Sequence, residues 1–318
     1  DIDRGGIIAS IVGTKAVLSD IDKAQIKAFV INKFRGDVSL FSDGMAQIEK
    51  FTSWKGLGVI PWFEEAPKLP AEDAMGLKAI VSSERNEFIV ADPQLSRIAN
   101  FADLDPLGME PGVDLILVRP GEVMPVDADM ILLPGTKSTI GDLMFLREQG
   151  WHIDIASHVR RGGSILGLCG GYQMLGKKIS DPMGIESSEK EIDGLGFLDV
   201  ETVLTSKKTL TSVRGKDTMF DADISGYEIH IGKTSGFDCN RPIIRLEEDG
   251  KVKFDGASSH DGRIMGSYIH GIFASNSFRS AFLNNLGLKK EKSIDFNWEV
   301  ESTLDKLADH LQKYIDVK

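Results

Sequence analysis

The chain has 318 residues, of which 42% are hydrophobic and 27% charged, and a formal net charge of −11. This length is enough for two domains with buried cores, and the acidic balance argues against nucleic-acid binding. Only two cysteines, Cys169 and Cys239, are present, which excludes a disulfide framework. Neither a signal peptide nor a membrane-spanning apolar run is found, so we expect a cytoplasmic chain without a membrane partner.

The first part of the chain alternates apolar runs with helical patterns. Residues 1–14 are typical of a loop entering a helix, residues 28–32 and 56–61 of buried strands, and residues 41–50 of a helix between them. Such alternation predicts parallel βαβ units. The chain starts at Asp1 without Met, and its first residues look like the end of a strand, so we expect a fragment whose beginning is missing.

Polar groups stand at the ends of these first elements. Asp1 and Asp3 precede the first helix, and Asn32 and Lys33 end the first strand. Ligands bind at the carboxyl ends of strands in open α/β sheets. Spacing alone favours a solvated loop and a turn, so it does not assign these residues a binding role.

A boundary is predicted at residues 64–72, where Pro67 and Pro70 break the periodicity. We place one domain at residues 1–80 and a second at residues 81–318. The second domain first repeats the α/β pattern and then shows period-2 alternation, which predicts antiparallel strands. Its expected strands are 88–90, 114–118, 129–133, 194–204, 226–230 and 264–269, and its last helices are 278–286 and 300–315.

The segment 164–176 is typical of a nucleophile elbow, in which a strand, a sharp turn and a helix follow each other. Cys169 stands at the turn, where the helix dipole favours a thiolate. Gly167 and Gly171 allow strand and helix to approach closely. The Gly170 N–H is placed to stabilise an oxyanion, and Gly135, which follows the strand at 129–133, is suited to supply a second N–H. The alternative is a buried core cysteine.

A cysteine nucleophile needs a base, and the chain has 6 histidines. His270 fits best because it ends a buried strand between Gly266 and Gly271, although a core histidine is the alternative. His230 also ends an apolar strand, and its role is open between a substrate contact and a structural hydrogen bond. No paired-ligand spacing indicates a metal site.

The motifs at residues 133–139, 167–173 and 266–273 resemble those of class I glutamine amidotransferase domains, and more narrowly those of the cobyric acid synthase family. Residues 1–6, 31–37, 97–101 and 226–230 are also similar to that family, in its order. The resemblance implies a dethiobiotin-synthetase-like P-loop domain followed by an amidotransferase domain. It also implies ATP, Mg²⁺ and glutamine as cofactors and co-substrate, and a corrinoid acceptor.

The resemblance assigns roles by position. Cys169 is the expected nucleophile, His270 its base and later acid, and Gly135 and Gly170 the oxyanion donors. Asp1 and Asp3 are expected near Mg²⁺ and phosphate, and Asn32 and Lys33 near the nucleotide base. The implied reaction is the ATP-dependent amidation of corrinoid carboxylates, which converts adenosylcobyrinic acid a,c-diamide to adenosylcobyric acid.

Two departures from the family pattern bear on these expectations. Many class I amidotransferases carry a Glu two residues after the histidine, but Ile272 stands there, so what orients His270 is open, with Glu228 one option. No Gly-rich phosphate loop is present, so we expect at most glutaminase activity from this fragment. The alternatives are a cobyrinic acid a,c-diamide synthase or another related amidotransferase, a γ-glutamyl hydrolase, and a corrinoid-binding module. The sequence does not indicate an oligomeric state.

Overall fold

The computed structural model describes residues 1–70, 88–248, 250–289 and 293–316. It divides into two compact units, one formed by residues 1–69 with 298–318 and the other by residues 70–297. The boundary predicted between residues 80 and 81 lies outside the described residues. Within the described ranges, no helix has the length and apolarity that crossing a bilayer requires.

The first unit is built on a two-stranded parallel sheet, as the βαβ pattern predicts. Its strands lie side by side from the Ala28–Lys55 pair onwards, and Ile31, Ile48 and Val59 form its small core. Its elements are α1 (Ile7–Val17), α2 (Asp20–Gln25), β1 (Ala28–Phe34), α3 (Ser42–Thr52) and β2 (Lys55–Pro61), with short 3₁₀ turns at Ile2–Arg4, Val38–Phe41 and Ala66–Lys68.

The terminal helix, Phe296–Tyr314, groups mainly with this first unit, whereas the predicted domain 81–318 placed it in the second. Its side chains explain the difference. The His310 ring packs 5.3 Å from that of Phe63, and Lys306 pairs with Glu65 at 2.7 Å. Gly58 approaches the end of the helix so closely that a Cβ would lie 1.9 Å from the Tyr314 oxygen.

The second unit contains a six-stranded sheet in the order β13-β14-β6-β5-β3-β4. All neighbours are parallel except β13, which is an antiparallel edge strand. Buried apolar side chains cover both faces, as expected for a parallel sheet between helices. The strands are β3 (Phe88–Pro93), β4 (Val113–Val118), β5 (Met130–Leu133), β6 (Ser164–Leu168), β13 (Ala257–Ser258) and β14 (Ile264–Ser267); the helices are α4 (Asp105–Gly108), α5 (Thr139–Glu148), α6 (Trp151–Arg160), α7 (Gly170–Leu175) and α8 (Asn276–Asn285).

A second sheet of seven strands contributes the long hairpin of β9 and β10. The antiparallel pairing predicted at residues 226–230 is confirmed, whereas residues 194–200 are not strand. The short strand β15 joins this hairpin and pairs Tyr227 with His270. The strands are β7 (Lys178–Ser180), β8 (Glu191–Asp193), β9 (Glu201–Asp217), β10 (Asp223–Ser235), β11 (Ile244–Glu248), β12 (Lys251–Asp255) and β15 (Ile269–His270).

Candidate active site

Cys169 lies in a strained turn between β6 and α7. Its backbone has φ 51° and ψ −106°, a conformation that L-residues adopt only where the surroundings impose it. The surroundings here are tight: a Cβ on Gly167 would lie 2.6 Å from the Gly171 carbonyl carbon, and one on Gly171 would lie 2.1 Å from the Leu133 oxygen. The glycines therefore let strand and helix close around the cysteine, as the elbow pattern predicts.

His270 is completely buried. Its Nδ1 is 2.6 Å from Asp103 Oδ2, and its Nε2 is 3.2 Å from the side-chain nitrogen of Asn100. Burial lowers the pKa of His270, but the interactions of the ring with Asp103 and Cys169 outweigh it and raise the pKa to about 10. At neutral pH the ring is therefore cationic.

Asp103 is the orienting group that the sequence left open. It precedes α4, and its second oxygen, Oδ1, accepts a hydrogen bond of 2.6 Å from the Gly271 N–H. Both oxygens thus fix His270, one through its ring and one through the backbone of the next residue. Glu228, the option considered from the sequence, instead pairs with His230 and Lys253. Only one signal pointed to Asp103, namely its place two residues after the family-like motif at residues 97–101.

The two glycines expected to donate N–H groups flank this pair. A Cβ on Gly135 would lie 2.8 Å from His270 Cε1, and one on Gly170 would lie 2.5 Å from Thr136 Cγ2. The turn after β5 is anchored to α5, because the Thr136 hydroxyl donates a hydrogen bond to the Asp142 carboxylate. The Ser96 hydroxyl donates to the same carboxylate and so joins the turn after β3 to it. These positions are compatible with an oxyanion site, and the donor role of both glycines stays a prediction.

A cavity of about 360 Å³ opens beside Cys169, within the size range of small-molecule sites. The Cys169 thiol lies 3.3 Å from the Ile229 carbonyl oxygen, to which it donates in its neutral form. Gln173 is buried and held on three sides, by Thr139, Ile231 and Tyr268. The cavity is lined by Ala99, Asn100, Thr136, Lys137, Thr139, Cys169, Gln173, Glu186, Lys208, Ile229, His230 and Ile231.

Charged groups of both signs reach this cavity. Glu186 comes from the loop between β7 and β8 and accepts a hydrogen bond of 3.2 Å from the Ile140 N–H in the first turn of α5. Burial raises its pKa, against the lowering effect of the α5 amides. Lys137 and Lys208 line the same cavity. The site can therefore hold a small molecule that carries an ammonium and a carboxylate. Glu186 is a second residue that the sequence analysis missed.

His230 makes the structural hydrogen bond considered from the sequence, since its Nε2 lies 2.7 Å from Glu228 Oε1. Its ring stacks on Tyr268 at 3.8 Å between centroids. The hydrogen bond from His230 lowers the pKa of Glu228 to about 2 despite its burial, with Lys253 adding to the effect. His230 also lines the cavity, and its Nδ1 is buried without a hydrogen-bond partner among the described residues.

The candidate residues of the first unit lie together but are engaged with each other. Asp1 pairs with Lys33 at 3.0 Å, Asp3 pairs with Arg35 at 3.0 Å, and Asn32 Oδ1 accepts from the Lys33 N–H. Across the described ranges, no cluster of three His, Cys, Asp or Glu side chains is placed to hold a metal. These residues by themselves do not complete a site for ATP and Mg²⁺, so we derive no phosphorylation step from them.

A buried cysteine in a strand–turn–helix elbow, with an Asp-oriented histidine beside it, defines a thiol-dependent acyl-transfer site of the amidotransferase type. Residues 89–278 match the CobB/CobQ-like glutamine amidotransferase domain, and the chain belongs to that family. Residues 1–75 match the CobQ/CobB/MinD/ParA nucleotide binding domain.

Curated relatives extend over the whole chain. A cobyric acid synthase from Brucella suis is 50% identical over 317 residues, which cover 100% of this chain and 65% of that protein. A cobyric acid synthase from Sinorhizobium sp is 48% identical over 316 residues, which cover 99% of this chain and 64% of that protein. The chain thus spans about two thirds of the length of these relatives.

Proposed function

We propose that the second unit hydrolyses glutamine to glutamate and ammonia. The observation that carries the proposal is the contact of Asp103 with His270 Nδ1, together with the position of Cys169 in a strained turn that lines the cavity. In the first step the Cys169 thiolate attacks the side-chain amide carbon of glutamine. His270 donates its proton to the departing nitrogen, which leaves as ammonia. The glutamyl group remains bound to the Cys169 sulfur as a thioester. His270 then takes a proton from water, which attacks the thioester and releases glutamate and the thiolate.

Asp103 keeps one ring nitrogen of His270 protonated, so that the other faces the sulfur and the leaving group. The N–H groups of Gly135 and Gly170 stabilise the oxyanion of both tetrahedral intermediates. Glutamine binds with its ammonium towards the Glu186 carboxylate and its carboxylate towards Lys137 or Lys208, because charge-assisted hydrogen bonds of this kind fix the orientation of a small zwitterion. His230 contributes its unpartnered Nδ1 to the same cavity.

For the whole protein we propose the ligase reaction. Ammonia from Cys169 is transferred to corrinoid carboxylates activated by ATP and Mg²⁺, so that adenosylcobyrinic acid a,c-diamide becomes adenosylcobyric acid. The names of the relatives and the match to a nucleotide binding domain support this assignment. In the same proposal residues 1–80 belong to the synthetase domain, with Asp1, Asp3, Asn32 and Lys33 near the nucleotide, and residues 81–318 contain the amidotransferase.

The test is glutamate release by the chain, measured for the wild type beside Cys169→Ala and His270→Ala. We expect both variants to lose activity by at least about 10³-fold, since each removes a group that acts in the bond-breaking steps. Cys239→Ala is the matched control, because Cys239 contacts Tyr172 rather than the catalytic pair. Release that survives in Cys169→Ala, or that is lost equally in Cys239→Ala, would contradict the proposal.

A further inference from the structure

A groove lies on the outer face of the second sheet, on the other side of Tyr227 from the catalytic histidine. Two adjoining cavities of about 520 and 510 Å³ form it, and both are lined by Arg214, Ser225 and Glu247. The glutaminase mechanism uses none of these three residues. Their strands, β9, β10 and β11, are neighbours or next neighbours in the sheet, so the groove has a rigid floor.

The inner end of the groove touches the catalytic site. Tyr227 lines it, and its ring stacks on the imidazole of His270 at 5.3 Å with 19° between the planes. Gly226 also lines it, and a Cβ there would lie 2.1 Å from the His270 carbonyl oxygen. A ligand in the groove would therefore be separated from His270 by the thickness of one aromatic ring and one strand.

The groove presents two exposed charged side chains, the cation Arg214 and the anion Glu247, which form no ion pair with each other. Among the described residues the side chains of Arg214 and Glu247 have no ion-pair or hydrogen-bond partner. Nearby Lys216, by contrast, is held by Asp221 at 2.8 Å. A guanidinium pairs in a bidentate manner with a carboxylate, and a carboxylate accepts the N–H groups of a primary amide. Serine hydroxyls at 225 and 275 add donors and acceptors of either kind.

We propose that this groove binds the rim of a partly amidated polycarboxylate, with Arg214 on a free carboxylate and Glu247 on a carboxamide already formed. The acceptor assigned under the proposed function is such a molecule, and the inference rests on that assignment. The groove then holds the acceptor's non-reacting side chains next to the source of ammonia. It also distinguishes carboxylate from carboxamide, which an enzyme that amidates several side chains in turn requires.

The test measures binding of cobyrinic acid a,c-diamide to the wild-type chain by equilibrium dialysis at low and moderate salt, using the corrin absorbance. We expect Arg214→Gln and Glu247→Gln each to raise the Kd about tenfold, as loss of one hydrogen bond to a charged group does. Added salt should narrow the difference for Arg214→Gln. Arg245→Gln is the matched control, because Arg245 lies on β11 outside the groove and faces Asp221 at 3.9 Å. Its Kd should equal that of the wild type.

Glutamate release, measured on the same samples, separates the two proposals. Arg214→Gln and Glu247→Gln should release glutamate at the wild-type rate, which also shows that they are folded. If release does not depend on Cys169, the proposed function fails whatever the corrin result. If release depends on Cys169 but the Kd is the same in Arg214→Gln, Glu247→Gln and the wild type, only the groove assignment fails. No binding of the diamide by an active wild type would also overturn it.

Discussion

Replacing Asp103 by Asn tests how the histidine is held. The Asp103 carboxylate accepts two hydrogen bonds of 2.6 Å, from His270 Nδ1 and from the Gly271 N–H. An asparagine offers one oxygen and one NH₂ group, so it can satisfy only one of these donors. Either the Gly271 N–H faces an NH₂ group, or His270 changes tautomer and carries its proton on the nitrogen that faces Cys169.

The expected loss follows from these contacts. A hydrogen bond to a charged group contributes about 1.5–3 kcal/mol, and Asp103→Asn removes the charge from two. If about 3–4 kcal/mol of this is lost in the transition state, kcat/KM for glutamine falls by about 10²–10³-fold. The volume of the side chain is nearly unchanged, so we expect the variant to fold.

The pH dependence gives a second readout. The folded pKa of His270 is about 10, above its ordinary value of 6.5, so the protonated ring stabilises the fold fully below about pH 6.5. This contribution to the free energy of unfolding is lost as the pH rises from about 6.5 through about 10. Its full size is on the order of 5 kcal/mol. Asp103→Asn lowers the folded pKa, which flattens this dependence and moves the alkaline limb of kcat/KM towards neutral pH.

The assay is glutamate release from pH 6 to 10, with urea unfolding at the same pH values and Asp305→Asn, an exposed aspartate on the terminal helix, as control. An Asp103→Asn variant with kcat/KM within threefold of the wild type and an unmoved alkaline limb would refute the reasoning, because Asp103 would then neither orient nor charge the histidine.

Three further predictions follow from other contacts. Burial and the nearby Asp103 raise the pKa of Asp92 well above its usual range. Neither Asp92 oxygen has a hydrogen-bond partner among the described residues. Asp92→Asn should therefore raise the unfolding free energy at pH 7 by about 1–3 kcal/mol. This gain should shrink as the pH falls towards about 4 and both states bind the proton; an equal gain at pH 3.5 and pH 7 would contradict it. Gly171→Ala places a Cβ 2.1 Å from the Leu133 oxygen and should abolish glutamate release. Gly13→Ala is the control, because a Cβ there has nothing within 4 Å. It should leave release unchanged and stabilise α1 by up to about 1 kcal/mol. Glu186→Gln should raise KM for glutamine about tenfold with kcat changed less than threefold; the reverse pattern would place Glu186 in the chemical step.

What the sequence predicted correctly is mostly local. The strand, turn and helix around Cys169 depend on glycines within four residues of it, and the structure has this elbow. The βαβ order is likewise read from neighbouring segments. The assignment of His270 as the base rests on its place at the end of a buried strand, and this role stays a prediction.

What the sequence did not predict depends on distant contacts. Asp103 meets His270 across 167 positions, and its own segment gives only one signal, its place two residues after the motif at residues 97–101. The amphipathic pattern at residues 300–315 predicts a helix, but an apolar stripe does not specify which unit it packs against. The Glu186 contact with α5 has the same character, because a loop residue reaches a helix N-terminus 46 positions away.

Strand β10 contacts both members of the proposed catalytic pair. Tyr227 stacks on His270, and two residues later the Ile229 carbonyl receives the Cys169 thiol. A small displacement of this strand therefore alters both reacting groups together, while moving either alone requires the strand to bend. A ligand that shifts β10 would change the affinity of the site for glutamine, and by thermodynamic reciprocity glutamine would change the affinity for that ligand by the same factor. If the groove proposed above binds the acceptor, β10 is the element through which that binding would reach both reacting groups.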